Sequence, residues 1–333
     1  MTENAPRRAL VTGINGFCGS HLAELLLSEG WEVHGTVRSF RSDLRNLRDL
    51  EHAGNMPTLH YCDIMDGGAV ADVVKKVQPN AVFHLAAQSY VPASWTNPHH
   101  TLTTNVLGTL NVLEAVRRHA PAAVCQVAGT SEEYGRVEPD ECPITEDSPL
   151  RPLSPYGVSK CAADLLGRQY AASYGLNVVV TRAYNHSGQR RGVLFAESDW
   201  ARQIALAELA GGGTIRHGNL EAVRDYSHVR DIARGYIAAV TRGKPGEVYQ
   251  LCSGDGWKMG DVLERLISLS KAQIKTEIDK SRMRPSDVPL LIGSPLKAER
   301  ELGWSTEIPV KDMLLDLLDY WRQEVSARDR LVA

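Results

Sequence analysis

A short apolar run, Ala9-Leu10-Val11-Thr12, passes directly into Gly13-Ile14-Asn15-Gly16-Phe17-Cys18-Gly19. A stretch from Ser20 to Ser28 follows, with Leu22, Leu25, Leu26 and Leu27 at helical spacing. Strand, glycine-rich turn and helix in immediate succession leave few folds open. The same alternation continues. Trp31–Val37, Thr58–Cys62, Ala81–Leu85, Val124–Ala128 and Asn177–Thr181 read as strands, and Ala69–Val77, Thr103–Arg118 and Gly157–Tyr174 as helices between them. Strands and helices in turn imply a parallel sheet covered on both faces, wound by right-handed crossovers into an open α/β fold of the Rossmann type. After about residue 185 the alternation loosens. Glycines gather at Gly211-Gly212-Gly213 and prolines at 245, 285, 289, 295 and 309, which reads as a smaller carboxy-terminal lobe. A chain of 333 residues has room for both units.

Composition removes several classes of function. Thirty-seven basic residues against forty acidic ones give a net charge of −3, so there is no basic excess to attract nucleic acid. Six cysteines lie singly, at 18, 62, 125, 142, 161 and 252, without CxxC spacing; reduced thiols and a cytoplasmic setting are expected. No run approaches the roughly 18 apolar residues of a membrane span. His99-His100 has no second pair at ligand spacing, so no metal site is expected.

The glycine loop carries chemistry because of its setting. Glycines after the first strand of a βαβ unit bring backbone amides close to a pyrophosphate, which rests on the positive end of the following helix. The spacing here is GxxGxxG, distinct from the commoner GxGxxG. At the end of the second strand, Gly35-Thr36-Val37-Arg38-Ser39-Phe40-Arg41 offers no carboxylate for a ribose 2′-hydroxyl, and Arg38 suits a 2′-phosphate. NADP(H) is therefore favoured, with NAD(H) as the alternative. In Ser154-Pro155-Tyr156-Gly157-Val158-Ser159-Lys160, Ser154 can cap a helix begun by Pro155, which sets Tyr156 and Lys160 on one face. An ammonium beside a phenol is expected to lower the phenol pKa and permit proton exchange with an alcohol or carbonyl. Thr130, in Ala128-Gly129-Thr130-Ser131-Glu132-Glu133-Tyr134-Gly135, follows a strand and could bond the same substrate oxygen.

The glycine loop, Leu85-Ala86-Ala87-Gln88, the Thr130 segment and the Tyr156/Lys160 pair, in that order, resemble the extended short-chain dehydrogenase/reductase family over nearly the whole chain. The resemblance implies a Rossmann domain for NAD(P) over residues 1–185. It also implies a lobe, mainly residues 186–333, for a nucleotide-diphosphate sugar, with some segments returning to the first domain. It makes Tyr156 the acid/base, Lys160 the residue that orients the cofactor ribose, and Thr130 the third catalytic position, with Asp63-Ile64 against adenine. His186 would approach the nicotinamide or pack against the strand end. By the same resemblance, the helices near 103–118 and 157–174 imply a homodimer, with a tetramer as the alternative.

Segments of the second half are similar to GDP-mannose-type enzymes: Arg182 to Gly188, Gly218 to Tyr226, and Arg284-Pro285-Ser286-Asp287-Val288-Pro289. Asn185, Arg224 and Arg284 would meet diphosphate oxygens and Asp287 ribose hydroxyls. Two reactions compete. Reduction of GDP-4-keto-6-deoxy-mannose at C4 is favoured, because Phe17-Cys18 replaces the dehydratases' Gln-Asp in the cofactor loop and the Gly218–Tyr226, Val248–Gly254 and Arg282–Ser294 stretches look like the reductases. Dehydration of GDP-mannose is the alternative, since Glu132 stands where dehydratases carry a working carboxylate and Gln88-Ser89 and Arg190-Arg191-Gly192 are dehydratase-like. A 4-epimerase and a non-catalytic binding protein rank below both.

Overall fold

The computed structural model describes residues 7–283 and 288–332. Six strands of the first half lie in one sheet: β1 (Arg8–Thr12), β2 (Glu32–Val37), β3 (Thr58–Tyr61), β4 (Ala81–His84), β5 (Val124–Thr130) and β6 (Val178–Ala183). A seventh, Val248–Leu251, adds to the edge beyond β6, giving the order β3-β2-β1-β4-β5-β6-Val248–Leu251, all parallel. Alternate residues of each strand feed opposite faces. Val11, Phe83 and Val179 join one apolar cluster with Leu22, Leu26 and Ile232; Leu10, Val82 and Val180 join the other with Val74, Leu113 and Val116. A sheet buried on both faces explains why its strands read as continuous apolar runs.

Some elements run beyond the ranges expected from sequence, while β2, β3 and β4 are each one residue shorter. Helix α1 spans Phe17–Ser28, so the end of the glycine loop is already its first turn. Strand β5 continues through Thr130. The expected helix from Thr103 is interrupted by one wider turn, Thr103–Leu107, before Gly108–His119.

Beyond β6 the chain serves both parts of the molecule. In the lobe, Val223–His228 pairs with Asn185–Ser187, Gly256–Lys258 and Leu290–Leu291, and Gly212–His217 pairs with Gln273–Ile278. Trp200, Tyr226, Leu263 and Leu317 form its core with the helices Ala196–Ala210, Met259–Ser268 and Val310–Val332. Between these segments the helix Val229–Arg242 returns to pack beside α1 and leads into the seventh strand. Among the described residues no helix is long and apolar enough to cross a membrane.

Candidate active site

Strand β1 pairs with β2 on one side and β4 on the other, so the winding reverses there and a crevice opens at the carboxyl ends of β1 and β4. Gly13 sits in that crevice with φ +69°, and a Cβ on it would lie 3.0 Å from Ala86 Cα. A Cβ on Gly19 would lie 2.5 Å from the Gly13 carbonyl oxygen. Gly16 is the N-cap of α1, and no side chain hydrogen-bonds to that end. The rims of β1 and β4 are tied together by Thr12. Its hydroxyl accepts from the amides of Leu85 and Ala86 at 3.1 Å and lies 2.9 Å from His84 Nδ1. His84 Nε2 lies 3.0 Å from Thr109 Oγ1, and burial holds the imidazole neutral, with its pKa lowered to about 3.

A cleft of about 1350 Å³ runs from this crevice into the lobe. Gly13, Asn15, Gly16, Phe17, Cys18 and Gly19 form its floor, and Leu85, Ala86 and Ala87 one wall. Arg38 lines one end, joined by Ser39, Arg41 and Ser42, with Asp63 and Ile64 across from them. Ser39, Arg41 and Ser42 were not singled out as site residues in the sequence, since a hydrophilic turn after a strand reads the same whether or not it faces a ligand. Phe17 stacks on His186 at 5.9 Å between ring centroids, and the Arg191 guanidinium lies 4.9 Å from the centroid of the same Phe17 ring. Burial lowers the His186 pKa to about 4, and its Nδ1 lies 2.8 Å from the Tyr184 carbonyl oxygen. Burial also pushes the Cys18 thiol up to about 12, so it is an inert wall group.

Thr130, Glu132, Tyr156 and Lys160 meet in the same cleft. Ser154 caps the Pro155–Tyr174 helix by accepting from the Gly157 amide at 3.0 Å, which fixes Tyr156 in the first turn. Tyr156 hydrogen-bonds the Thr130 side chain. The expected effect of Lys160 on the phenol is not what the structure shows. Lys160 Nζ donates to the Ala128 carbonyl oxygen at 2.8 Å, and burial carries the Tyr156 phenol well above its ordinary range despite the Thr130 bond. Desolvation is the largest influence on the phenol. The same burial lowers the Lys160 pKa to about 8, opposed by Glu133.

The residues expected at the substrate divide. Ser89, Asn185, Arg191 and Arg224 line the cleft. Gln88 does not: its side chain donates to Thr101 Oγ1 at 3.0 Å and accepts from the Tyr90 amide at 2.7 Å, so it braces the wall from behind. Arg284 and Asp287 fall outside the described residues. The lobe adds Arg202 and Arg282, whose guanidinium groups meet Asp199. Only the pairing of Gly212–His217 with Gln273–Ile278 brings the 282 segment there, which no local motif announces.

Among the described residues no cluster of histidine, cysteine and carboxylate side chains is placed to hold a metal. Comparison with known proteins gives the family. The family model described as GDP-mannose 4,6 dehydratase matches residues 10–317. The chain is 32% identical over 344 residues to GDP-mannose 4,6 dehydratase 2 of Caenorhabditis elegans, covering 93% of this chain and 87% of that protein. It is 30% identical over 322 residues to GDP-6-deoxy-D-mannose reductase of Pseudomonas aeruginosa, covering 96% and 98%. The structure of RMD from Pseudomonas aeruginosa complexed with NADPH superposes with a TM-score of 0.83 at 29% identity, over 96% of this chain and 98% of that one. UDP-glucose 4-epimerase of Thermotoga maritima with UDP-glucose gives 0.85 at 26%, over 96% and 99%. A shared fold alone would leave the chemistry open, but the sequence match spans sheet, cleft and lobe together: the chain belongs to the GDP-mannose 4,6-dehydratase family of nucleotide-sugar oxidoreductases.

Proposed function

We propose that the protein is a GDP-4-keto-6-deoxy-D-mannose 4-reductase that uses NADP(H) and forms GDP-D-rhamnose. The observation that carries this reading is the state of Tyr156. Buried beside Thr130, with the Glu132 and Glu133 carboxylates opposing its ionisation, its phenol keeps its proton at neutral pH. A neutral phenol beside a second hydroxyl is suited to bind a carbonyl oxygen and give it a proton, as reduction of a ketone requires. The likeness to GDP-6-deoxy-D-mannose reductase, which this chain covers over 98% of its length, points the same way.

The residues present fit a dinucleotide. The glycine contacts that no Cβ could share leave a backbone cradle at the start of α1, where the amides around Gly16 and Phe17 would face a pyrophosphate. Arg38 and Arg41 would take a 2′-phosphate, Asp63 and Ile64 the adenine end, and Leu85 to Ala87 the opposite wall. Lys160 would hold the nicotinamide ribose, and His186, neutral and packed on Phe17, would border the ring. When bound there, NADPH supplies the hydride. Thr130 then orients the C4 oxygen and Tyr156 protonates it, while Asn185, Arg191 and Arg224 hold the sugar-nucleotide diphosphate.

Glu132 favours a second reading. It lines the cleft close enough to Tyr156 to oppose ionisation of the phenol, where a carboxylate could act at C5 and C6 of GDP-mannose in a 4,6-dehydration. The two are separated by incubating the protein with GDP-mannose alone, and with GDP-4-keto-6-deoxy-mannose plus NADPH. NADPH consumption only with the keto sugar is the expected result. Loss of water from GDP-mannose without added reductant, seen by mass spectrometry, makes the protein a dehydratase.

The functional unit in this reading is a homodimer. The adjoining segments 98–119 and 155–174 display Leu102, Leu107, Val158 and Leu165, between 39% and 54% exposed, on one side of the sheet.

A further inference from the structure

In the lobe wall of the cleft stands a carboxylate whose oxygens are short of donors. Glu197 lies in the first turn of the helix Ala196–Ala210 and lines the cleft while only 4% exposed. Among the described residues neither oxygen is well served: Oε1 has no hydrogen bond, and the one partner of Oε2 is the Tyr226 hydroxyl at 3.5 Å. That hydroxyl also lies 3.6 Å from Met259 Sδ, so its single proton is contested. Arg191 supplies the opposite charge: its Nε is 3.4 Å from Oε1 and likewise makes no hydrogen bond among the described residues. Neighbouring buried carboxylates are not left this way. Asp199, two residues on, meets Gln203 at 2.8 Å and Arg202 at 3.2 Å as well as Arg282, and Asp225 accepts from Ser253, Gly254 and Gly293. A buried acceptor without donors costs free energy unless a ligand brings them.

The surroundings say what kind of donor fits. On one side, Arg191 lies over the rings of Phe195 and Phe17, 3.4 and 4.9 Å from their centroids, and Phe17 stacks on His186 at the cofactor end. Ser198 fixes this arrangement by donating to the Arg191 carbonyl oxygen at 2.7 Å. On the other side, the strand Val223–His228 sets Tyr226 opposite Asn185, and Arg224, two residues before Tyr226, shares its face. Glu197 thus lies between the residues that would border the nicotinamide and those that would hold the diphosphate, the interval that a hexosyl group spans. In a 4-keto-6-deoxyhexosyl nucleotide the only free ring hydroxyls are on C2 and C3, a vicinal pair able to donate to both oxygens of one carboxylate. We infer that Glu197 is a specificity-determining residue: its carboxylate accepts from the C2 and C3 hydroxyls of the nucleotide sugar, with Arg191 balancing its charge. The inference rests on the nucleotide-diphosphate-sugar reading and not on the choice between reduction and dehydration, since GDP-mannose carries the same two hydroxyls.

Isothermal titration of the full-length protein with GDP-mannose and with GDP separates a sugar contact from everything the nucleotide contributes. Glu197→Gln keeps the shape and removes the charge and one acceptor. It should weaken GDP-mannose binding about tenfold or more and leave GDP within about twofold. Unchanged affinity for GDP-mannose overturns the assignment. So does an equal loss for both ligands, which places the effect at the diphosphate, through Arg191. The wild type carries a second test that does not depend on a variant folding. GDP-2-deoxy-mannose lacks one of the two donors and should bind at least about fivefold more weakly than GDP-mannose. Equal affinity for the two overturns the contact. A wild type that binds neither GDP nor GDP-mannose overturns the nucleotide-sugar reading and the inference with it, a result distinct from binding that is indifferent to Glu197.

Discussion

At Tyr156 the balance of two opposing effects sets the direction of chemistry. A neighbouring cation stabilises phenolate, and burial destabilises it. In this cleft burial wins, because Lys160 turns its ammonium to the Ala128 carbonyl oxygen. Tyr156→Phe should therefore lower kcat by about 10²- to 10⁴-fold, since only the transferable proton is lost. NADPH affinity, read by fluorescence titration, should stay within about twofold; a parallel loss of affinity would assign Tyr156 to binding instead. The pH dependence follows from Lys160. Its pKa is depressed to about 8, so the ammonium is complete on the acid side of that value and is lost as pH rises through it. Because Tyr156 remains neutral over the same range, kcat for reduction should fall with a single limb near pH 8. A profile flat across that limb shows that the ammonium form is not required.

The elements meet at the cleft through backbone constraints that particular residues satisfy. Strand β1 ends where Gly13 takes a positive φ and its carbonyl oxygen passes beneath Gly19, so loop and helix can close only without a Cβ at 19. Gly19→Ala should push the first turn of α1 away from the loop. We expect it to weaken NADPH binding at least about tenfold, equivalent to about 1.4 kcal/mol. Isothermal titration measures this, and wild-type affinity would show that the loop yields without cost. The lobe is pinned to the same helix. Arg190, at φ +69°, reaches Glu24 on α1, and His21 Nε2 lies 2.9 Å from the Gln189 carbonyl oxygen. These contacts set Arg191 against Phe17, so a residue of the lobe and a residue of the glycine loop form one wall.

For the molecule as a whole, the sheet is buried on both faces within the chain, yet one flank still shows large apolar side chains to solvent. Leu165 is 54% exposed on the Pro155–Tyr174 helix, the helix that also carries Tyr156 and Lys160. If that flank pairs two copies, light scattering at micromolar concentration should give twice the chain mass. Leu165→Arg should weaken association by about 2 kcal/mol and release monomer. A wild-type protein that is monomeric under those conditions removes the dimer.

Thr12 to Gly19, Thr130 and Tyr156 with Lys160 were legible in the sequence because each lies at a strand end or helix start, where local spacing reports both the element and the face. The parallel sheet was legible for the same reason, its strands being apolar on both sides. Gln88, expected at the substrate, instead turns its side chain away from the cleft lining; the sequence cannot say whether an amide faces a cleft or the helix behind it. Only packing gives Thr101 and Tyr90 to it. The direction of the Tyr156 shift and the burial of Glu133 beneath Thr130 were likewise decided in three dimensions. Desolvation depends on everything that surrounds a group, and residues 128, 133, 164 and 182 come together only when β5, β6 and the Pro155–Tyr174 helix pack. Sequence by itself determined the fold, the family and the chemical groups at hand; tertiary structure decided which protons those groups keep, because charge in a protein interior is set by neighbours that spacing along the chain does not record.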